Sequence, residues 1–261
     1  MNIVVCIKQV PDTTDVKINP ETNTLIRDGV ASIINPFDMY AIEEALRIKE
    51  KVGGTVTAIT MGPPQAESAL REAMSLGVDH VILLSDRKFA GSDTWATSYT
   101  LAAGIKKIGS YDVILCGKQA SDGDTAQVGP GIAVQLDLPQ SMFVKKVRDI
   151  KEKSMTVERM TEEGSDVIET QLPCVLSVVK EINTPRLPSL KGKMRAKKAE
   201  ITKWTADDLI VDEQLLGLNG SPTMVNKIFT PPKRAAGQIF EGEPRDTVKQ
   251  LYEALKPVLG I

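Results

Sequence analysis

Short apolar runs alternate with amphipathic helical patterns over the first half of the chain, and this alternation restricts the possible folds more than any other feature. The apolar runs cover residues 2–8, 55–61, 79–84 and 112–116. Strands that are joined through helices must run parallel, and a parallel sheet is covered by helices on both faces. We therefore expect an α/β fold, a Rossmann-like doubly wound parallel sheet.

Helical patterns fill the connections between these runs. The first follows Asp38 as its cap, the second runs from Pro63 to Leu76, and the third covers 94–108 after Ser92 or Asp93. In doubly wound sheets, ligands bind at the carboxyl ends of the strands where the winding direction reverses. The ends of the first and fourth strands, 6–10 and 116–119, are therefore the predicted walls of a pocket.

The pattern changes after about residue 140. The segments 141–149, 154–160, 166–172 and 174–180 are short and alternating, which indicates a small antiparallel addition. The tail 204–261 has little periodicity apart from a closing helix at about 245–257, so it is interpreted as an extended arm on another surface. Between the first strand and first helix, 16–27 has the pattern of a hairpin.

A basic segment separates the antiparallel addition from the tail. Seven basic residues and one acidic residue lie between Arg186 and Lys203, and two prolines and a glycine within 183–198 predict a loop. The segment is either a solvated basic loop or a docking arm for an acidic partner, with Leu187 or Leu190 as its apolar anchor. The expected domains are thus 1–182, including the addition at about 141–180, a recognition loop at 183–203 and the arm at 204–261.

Composition excludes several functional classes. The formal charge of −2 lacks the basic excess of a nucleic-acid binder, and no run approaches the ~18 apolar residues of a membrane span. The first residues do not resemble a signal peptide, so we expect a soluble cytoplasmic protein. One histidine, His80, and three cysteines without a C-x-x-C spacing argue against a metal site and a Ser-His-Asp hydrolase.

The loop from Gly117 to Asp124 joins the fourth strand to a helical pattern that extends from Thr125 to about Leu136. Such a loop directs free backbone N–H groups and the positive end of a helix dipole at one point, which suits a phosphate. An ordinary capped helix after a strand would produce the same local pattern.

Several longer motifs resemble the β subunit of electron transfer flavoproteins, from end to end of the chain. They are Val5-Cys-Ile-Lys-Gln-Val-Pro11, Asn35-Pro-Phe37, Met61-Gly-Pro63, Cys116-Gly-Lys-Gln-Ala-Ser-Asp-Gly-Asp-Thr-Ala-Gln127 and Val157–Gly164 with Pro173–Leu176. One departure is Asp166, where the family leads us to expect Glu or Gln. The basic stretch Thr184–Lys198 is similar to the loop by which this subunit recognises dehydrogenases, and Leu190 occupies the position of the anchoring leucine.

The resemblance implies a heterodimer with an α subunit that holds its own FAD. In the ordinary branch the β subunit binds structural AMP, and the complex passes electrons between a dehydrogenase and a quinone reductase. In the electron-bifurcating branch the β site holds a second FAD that oxidises NADH. One electron then goes to ferredoxin or flavodoxin, and the other to a flavin-dependent dehydrogenase of the acyl-CoA or lactate type. Any catalytic activity would belong to the complex.

Two stretches resemble the bifurcating branch. One is Asp122–Pro130, with Gly123 rather than an acid, and the other is Ser92–Ser98. In the second, Thr94, Thr97 and Ser98 offer hydroxyl groups to a flavin ring. The alternative is that Ser92 or Asp93 only caps the helix and the threonines face solvent.

Site residues follow from this geometry together with the resemblance. The expected phosphate cradle is formed by Gly123, Asp124, Thr125, Ala126, Gln127 and Val128, and the expected adenosine or flavin contacts are Cys6, Ile7, Lys8, Asn35, Met61 and Cys116. Asn35 could equally be a turn residue before Pro36, and Met61 a core residue. Leu190, Arg186 and Lys191 are the expected partner-docking residues.

Two other classes share an α/β layout of this kind. A nucleotide-sensing protein of the universal-stress type would need a G-x-x-G-x-x-G loop after the fourth strand, which the chain lacks. An adenylating enzyme of the ATP-pyrophosphatase type would need a Ser-Gly-Gly-x-Asp-Ser loop after the first strand, where Lys8-Gln-Val-Pro11 stands.

Overall fold

The structure, a computed structural model, describes residues 1–12, 32–226 and 237–260. The chain divides into two compact units, Met1–Asn226 and Lys227–Ile261, and each is described by itself. The predicted hairpin at 16–27 lies outside the described residues.

Nine strands form the main sheet within the described part of the first unit. In order across the sheet they are β11 (Thr202–Trp204), β5 (His80–Leu84), β4 (Thr55–Met61), β1 (Asn2–Cys6), β6 (Val113–Gly117), β10 (Cys174–Val178), β7 (Gln140–Ile150), β8 (Ser154–Met160) and β9 (Ser165–Gln171). The strands from β11 to β7 run parallel, and β8 and β9 continue the sheet antiparallel. A separate antiparallel pair joins β2 (Gln9–Pro11) to β3 (Ser32–Ile34).

Helices cover both faces of this sheet, which confirms the predicted doubly wound α/β class. They are α1 (Pro36–Val52), α2 (Glu67–Leu76), α3 (Thr94–Ile108), α4 (Val128–Leu136) and α5 (Leu190–Lys198). The core on one face contains Ile42 of α1 and Leu70 of α2, and the core on the other contains Leu101 of α3 and Ile132 of α4. The parallel strands are buried because their side chains pack against helices above and below.

The first helix begins earlier than the sequence pattern predicts. Asn35 occupies the cap position and Pro36 the first helical position, so the prediction of Asp38 as the cap is wrong. Proline is favoured at the first position because its missing N–H would have no partner inside the helix and its φ is already helical. Asp38 therefore lies within the first turn, where its carboxyl turns toward the sheet.

The expected antiparallel addition is correct for β7, β8 and β9 but wrong for residues 174–180. β10 lies between β6 and β7 and runs parallel to both. All five of its residues are buried, as is typical of a strand inside a parallel sheet. The three hairpin-connected strands extend the edge of the main sheet, and the chain then returns to insert β10 inside it.

The basic segment is not wholly a loop, because α5 covers Leu190–Lys198. Pro185 and Pro188 precede the helix and therefore do not interrupt it, and the Ser189 hydroxyl caps it by accepting the N–H of Gly192 at 2.9 Å. A side chain at Gly192 would collide with the Ser75 carbonyl oxygen. The glycine that favoured a loop thus permits close packing of α5 on α2.

The end of the expected recognition loop and the first part of the expected C-terminal arm, which begins at residue 204, pack on the sheet. Residues 202–204 form β11, and Ala206, Leu209 and Leu216 are buried in the core that also contains α3. The described part of the second unit contains α6 (Pro244–Leu259), which confirms the predicted closing helix. Wrapping of the arm on an α subunit stays a prediction. None of the helices in the described ranges is long and apolar enough to cross a membrane.

Candidate functional site

A cavity of about 340 Å³ lies where the winding of the sheet reverses. β1 has β4 on one side and β6 on the other, and the cavity is bounded by their carboxyl ends and by the N-termini of α3 and α4. Thirteen of the predicted contacts line it: Cys6, Ile7, Lys8, Asn35, Met61, Thr94, Thr97, Cys116, Gly123, Thr125, Ala126, Gln127 and Val128. Residues far apart in the chain are thus brought together as the topology predicts.

Asn35 connects the end of β1 to the loop that precedes α4. Its backbone N–H donates to the Lys8 carbonyl at 2.8 Å. Its side-chain amide donates to the Gln119 carbonyl at 2.8 Å and accepts the N–H of Ser121 at 3.0 Å. Only 1% of the residue is exposed. Asn35 is therefore more than a turn residue, because it holds the loop against the sheet.

The loop before α4 has the backbone geometry of an anion site. Asp124 and Ala126 have positive φ values of 53° and 54°, whereas Gln127 has a φ of −101°. Alternation between left- and right-handed residues turns successive N–H groups toward one side and forms a concave nest. No side chain of the described residues caps α4, and Val128 and Gly129, whose N–H groups have no partner inside the helix, line the cavity at the positive end of the helix dipole.

Thr94 ties the start of α3 to this loop. Its hydroxyl lies 2.8 Å from the Gln127 side-chain oxygen, and both residues line the cavity together with Thr97. Asp93 caps α3 by accepting the N–H groups of Trp95 and Ala96 at 2.9 and 3.1 Å. The cap and the threonines are thus separate features, since Thr94 and Thr97 face the cavity while Asp93 fixes the helix.

Two of the predicted contacts do not line the cavity. Ser98 is fully buried, and its hydroxyl donates to the Thr94 carbonyl at 2.6 Å. A side chain at Gly131 of α4 would collide with that hydroxyl, so Ser98 serves the close packing of α3 on α4. Asp124 turns its carboxylate away and accepts a hydrogen bond from the Gln119 side-chain amide.

The acidic side chains beside the nest are paired with nearby hydrogen-bond donors. The Lys8 ammonium lies 2.6 Å from the Asp122 carboxylate, across the gap between the end of β1 and the loop. Neither Asp122 nor Asp124 caps α4, because each carboxylate is hydrogen-bonded to another side chain. Their negative charge is directed at other side chains, which leaves the backbone N–H groups to face the cavity.

Asp38 is a site residue that sequence reasoning missed. Its carboxyl lines the cavity and accepts the N–H of Lys8 at 2.7 Å. Burial raises its pKa to about 7, although the Asn35 amide, the backbone N–H groups of Lys8 and Gly117 and the Lys8 charge favour the ionised form. The sequence did contain a signal for this site residue, because Asp38 is an acidic residue three positions after Asn35 at the start of a helix. We interpreted Asp38 as the cap of that helix instead.

Cys6 and Cys116 lie opposite each other on neighbouring strands and form part of the cavity floor. A hydrogen bond with the Cys116 thiol, together with burial, raises the pKa of the Cys6 thiol well above its usual range. A neutral buried thiol is a poor nucleophile. Cys6 thus acts as a small apolar wall residue of the cavity, with Cys116 beside it.

The predicted docking residues lie on and before α5. The side chains of Leu187, Leu190 and Met194 are 89%, 78% and 59% exposed, and Lys191 is exposed beside them. Arg186 is engaged within the chain instead, because its guanidinium contacts Glu43 and Glu50 at 2.8 and 2.6 Å. The apolar side chains and Lys191 remain available to a partner, and Arg186 fastens the segment to α1.

The family model and the similar proteins reported below point to the same family. Residues 22–209, more than half of the chain, match the family described as the electron transfer flavoprotein domain. The chain is 55% identical over 256 residues to electron transfer flavoprotein subunit beta of Thermoanaerobacterium thermosaccharolyticum, with 98% of each chain covered. It is 51% identical over 243 residues to caffeyl-CoA reductase-Etf complex subunit CarD of Acetobacterium woodii, with 93% of this chain and 92% of CarD covered. It is also 50% identical over 241 residues to protein FixA of Sinorhizobium fredii, with 90% and 85% covered.

Proposed function

This chain belongs to the electron transfer flavoprotein family, as a β subunit, and we propose that its cavity binds FAD in an electron-bifurcating complex. The family implies electron transfer together with an α subunit and a dehydrogenase. The identity of the nucleotide and the route of the electrons are the parts that we infer.

The observation that carries the nucleotide proposal is the uncapped start of α4 beside the nest at Asp124 and Ala126. Several N–H groups and a helix dipole converge there without a protein acceptor among the described residues. A phosphate or pyrophosphate group supplies the missing acceptor oxygens. The cavity of about 340 Å³ next to this anion site falls within the range of ligand pockets. The chain thus fits an adenine nucleotide.

The case for FAD over AMP rests on the wall at the start of α3. Thr94 and Thr97 line the cavity there. The Thr94 hydroxyl donates to the Gln127 side-chain oxygen, and Thr97 presents a hydroxyl group to any ring system that extends beyond the phosphate. A flavin has carbonyl and nitrogen acceptors for such donors, whereas AMP ends at its phosphate. When bound, FAD would accept a hydride from NADH and divide the electron pair between ferredoxin or flavodoxin and the α-subunit FAD. This chain's residues would orient the flavin and shield it.

The partner proposal rests on the exposed apolar side chains on and just before α5 and on one relative. Leu187, Leu190 and Met194 stand out from the surface with basic residues around them, which suits an apolar pocket bordered by carboxylates. The name of CarD associates that protein with a caffeyl-CoA reductase. We therefore favour an acyl-CoA-type flavin dehydrogenase over a lactate-type one, and a cytoplasmic complex.

The deciding experiment is the nucleotide content of the co-purified αβ complex, measured after acid release and chromatography. Two FAD and no AMP per heterodimer would support the bifurcating proposal, and NADH-driven ferredoxin reduction would be the next assay. One FAD and one AMP would overturn it in favour of the alternative, a structural nucleotide in an ordinary electron carrier. A complex with no nucleotide in the β site would contradict both.

A further inference from the structure

One carboxyl group bridges the two strands between which the winding of the sheet reverses. Asp38 Oδ2 accepts the N–H of Lys8, the second residue after β1, at 2.7 Å. Asp38 Oδ1 lies directly against Gly117, at the end of β6, where even a Cβ atom would not fit. Asp38 is 6% exposed and faces the cavity. The carboxyl thus contacts both walls of the predicted nucleotide site.

The backbone on the β6 side is shaped around this carboxyl. A Cβ atom at Gly117 would collide with Asp38 Oδ1 and would lie 2.6 Å from the Phe37 carbonyl carbon. Those contacts are shorter than van der Waals distance, so a glycine is required for β6 to approach the start of α1. The close approach places the carboxyl and the two strand ends in one rigid cluster.

We propose that Asp38 is a positioning residue of the nucleotide cavity: its carboxylate holds the ends of β1 and β6 at the separation that the nucleotide requires, and nucleotide binding is therefore coupled to release of one proton. This inference rests on the proposed function, that the cavity binds an adenine nucleotide. An ionised carboxyl offers acceptors on both oxygens, whereas a protonated one carries a donor. Protonation would leave one backbone N–H facing a hydroxyl donor and would release one wall.

The surroundings of Asp38 place its titration near neutral pH. Burial raises its pKa to about 7, and the Lys8 ammonium lowers the pKa less than burial raises it. Several titratable or charged groups among the described residues surround it. They are Cys6 at the end of β1, Lys8 just after it, Cys116 in β6, Lys118 just after β6, and Asp122, which pairs with Lys8. The pKa of the Cys6 thiol is raised well above its usual range by its hydrogen bond with Cys116 and by burial, so the proton on Asp38 is the one expected to change.

The test is a titration of the αβ complex, depleted of its β-site nucleotide, with FAD between about pH 5.5 and 8.5. FAD is the probe because the phosphate monoester of AMP itself titrates near pH 6. We expect the Kd to be constant above about pH 7.5 and to rise about tenfold per pH unit below about pH 6.5. Calorimetry in two buffers of different ionisation enthalpy should show about one proton released per FAD at about pH 6.

Asp38→Asn should bind FAD more weakly at pH 8 and should lose the pH dependence. Glu44→Gln is the matched control, because Glu44 is a second buried α1 carboxyl with a raised pKa, caused by burial, and it bonds Asn183 instead of lining the cavity. The control should keep the wild-type slope. A pH-independent wild-type Kd, or an unchanged slope in Asp38→Asn, would overturn the inference while leaving the nucleotide site intact. Failure of the wild-type complex to bind either FAD or AMP would overturn the proposed function and this inference together.

Discussion

The guanidinium of Arg186 lies on the Glu43 carboxylate, with Nε 2.8 Å from Oε2, and this pair joins the segment before α5 to the middle of α1. The Glu43 side chain is only 5% exposed and also accepts from Arg47 at 2.7 Å. Arg186 reaches Glu50 as well, at 2.6 Å. An exposed apolar docking surface needs such an anchor, since a rigid segment loses less conformational entropy when it binds a partner.

Arg186→Ala should therefore destabilise the protein and weaken docking indirectly. Burial tends to raise the pKa of Glu43, but Arg186 and Arg47 lower it overall. Removal of one partner from this part-buried pair should cost about 1–2 kcal/mol of unfolding free energy at pH 7, less than for a fully buried pair because Arg186 is one-third exposed. The pair's contribution is present above the unfolded pKa of Glu43 and is lost as pH falls through its lowered folded pKa.

Chemical denaturation at pH 7 and at about pH 3 measures this difference. Lys191→Ala is the control, because it removes an exposed basic side chain of the same segment. Equal stability of the Arg186 and Lys191 variants at pH 7 would mean that the Arg186–Glu43 pair does not anchor the segment.

Leu190→Ala should slow electron transfer to the dehydrogenase without changing the bound nucleotide. The side chain is 78% exposed, and an apolar anchor that fills a partner pocket is worth about 2 kcal/mol or more, or roughly thirtyfold in the Kd of docking. Rates measured at several dehydrogenase concentrations give that Kd. Val167→Ala on β9, which removes another exposed apolar side chain, should leave the rates unchanged. Loss of flavin from the Leu190 variant would show that the docking surface is misassigned.

Gly117→Ala should destabilise the fold by about 1–3 kcal/mol, as overpacking of a filled site does. The new methyl group would meet the Asp38 carboxyl and the backbone at Phe37. Gly123→Ala is the matched substitution, since a Cβ there meets nothing within 4 Å and the residue does not have a positive φ. Thermal unfolding of the nucleotide-free proteins compares the two. A similar Tm for both variants would argue against the crowding at Gly117.

Asp38 should give the stability of the nucleotide-free protein a distinct pH profile. Burial raises its folded pKa from 3.8 to about 7, so the folded state binds the proton more tightly than the unfolded state between these values. Its contribution to the free energy of unfolding should fall by about 1.4 kcal/mol per pH unit as pH rises through this window. Asp38→Asn should remove that component, and urea denaturation at intervals of pH detects it. Parallel profiles for wild type and variant would contradict the raised pKa.

The sequence pattern predicted most elements of the α/β unit, since long strands and helices carry a strong hydrophobic period. It failed where a local signal had two structural meanings. Gly192 was interpreted as a helix breaker, but it marks the contact of α5 with the Ser75 carbonyl. The strand at 174–178 was assigned to the antiparallel addition, because no local pattern shows that the chain returns to pair with β6 and β7.

For the candidate site, too, the sequence predicted some features and missed others. Alternating strands and helices place the ends of β1 and β6 side by side, so the position of the cavity follows from chain order and the rule for winding reversal. Individual lining residues such as Asn35 and Gln127 were predicted with the help of the family resemblance. The direction of each side chain does not follow from chain order. Ser98 lies one residue from the cavity-lining Thr97, yet its hydroxyl packs between α3 and α4.

The amino-acid sequence was sufficient for the family, the layer architecture and the place of the cavity, because these depend on periodic burial and on motifs that are continuous in the chain. Only the tertiary structure decided that Arg186 bonds Glu43 instead of remaining free for a partner, and that the Asp38 carboxyl accepts the N–H of Lys8 while it packs against Gly117. Both results depend on distances between residues that are 143 and 30 positions apart. Burial and charge pairing at such distances arise from packing of the whole unit, and no local pattern encodes them.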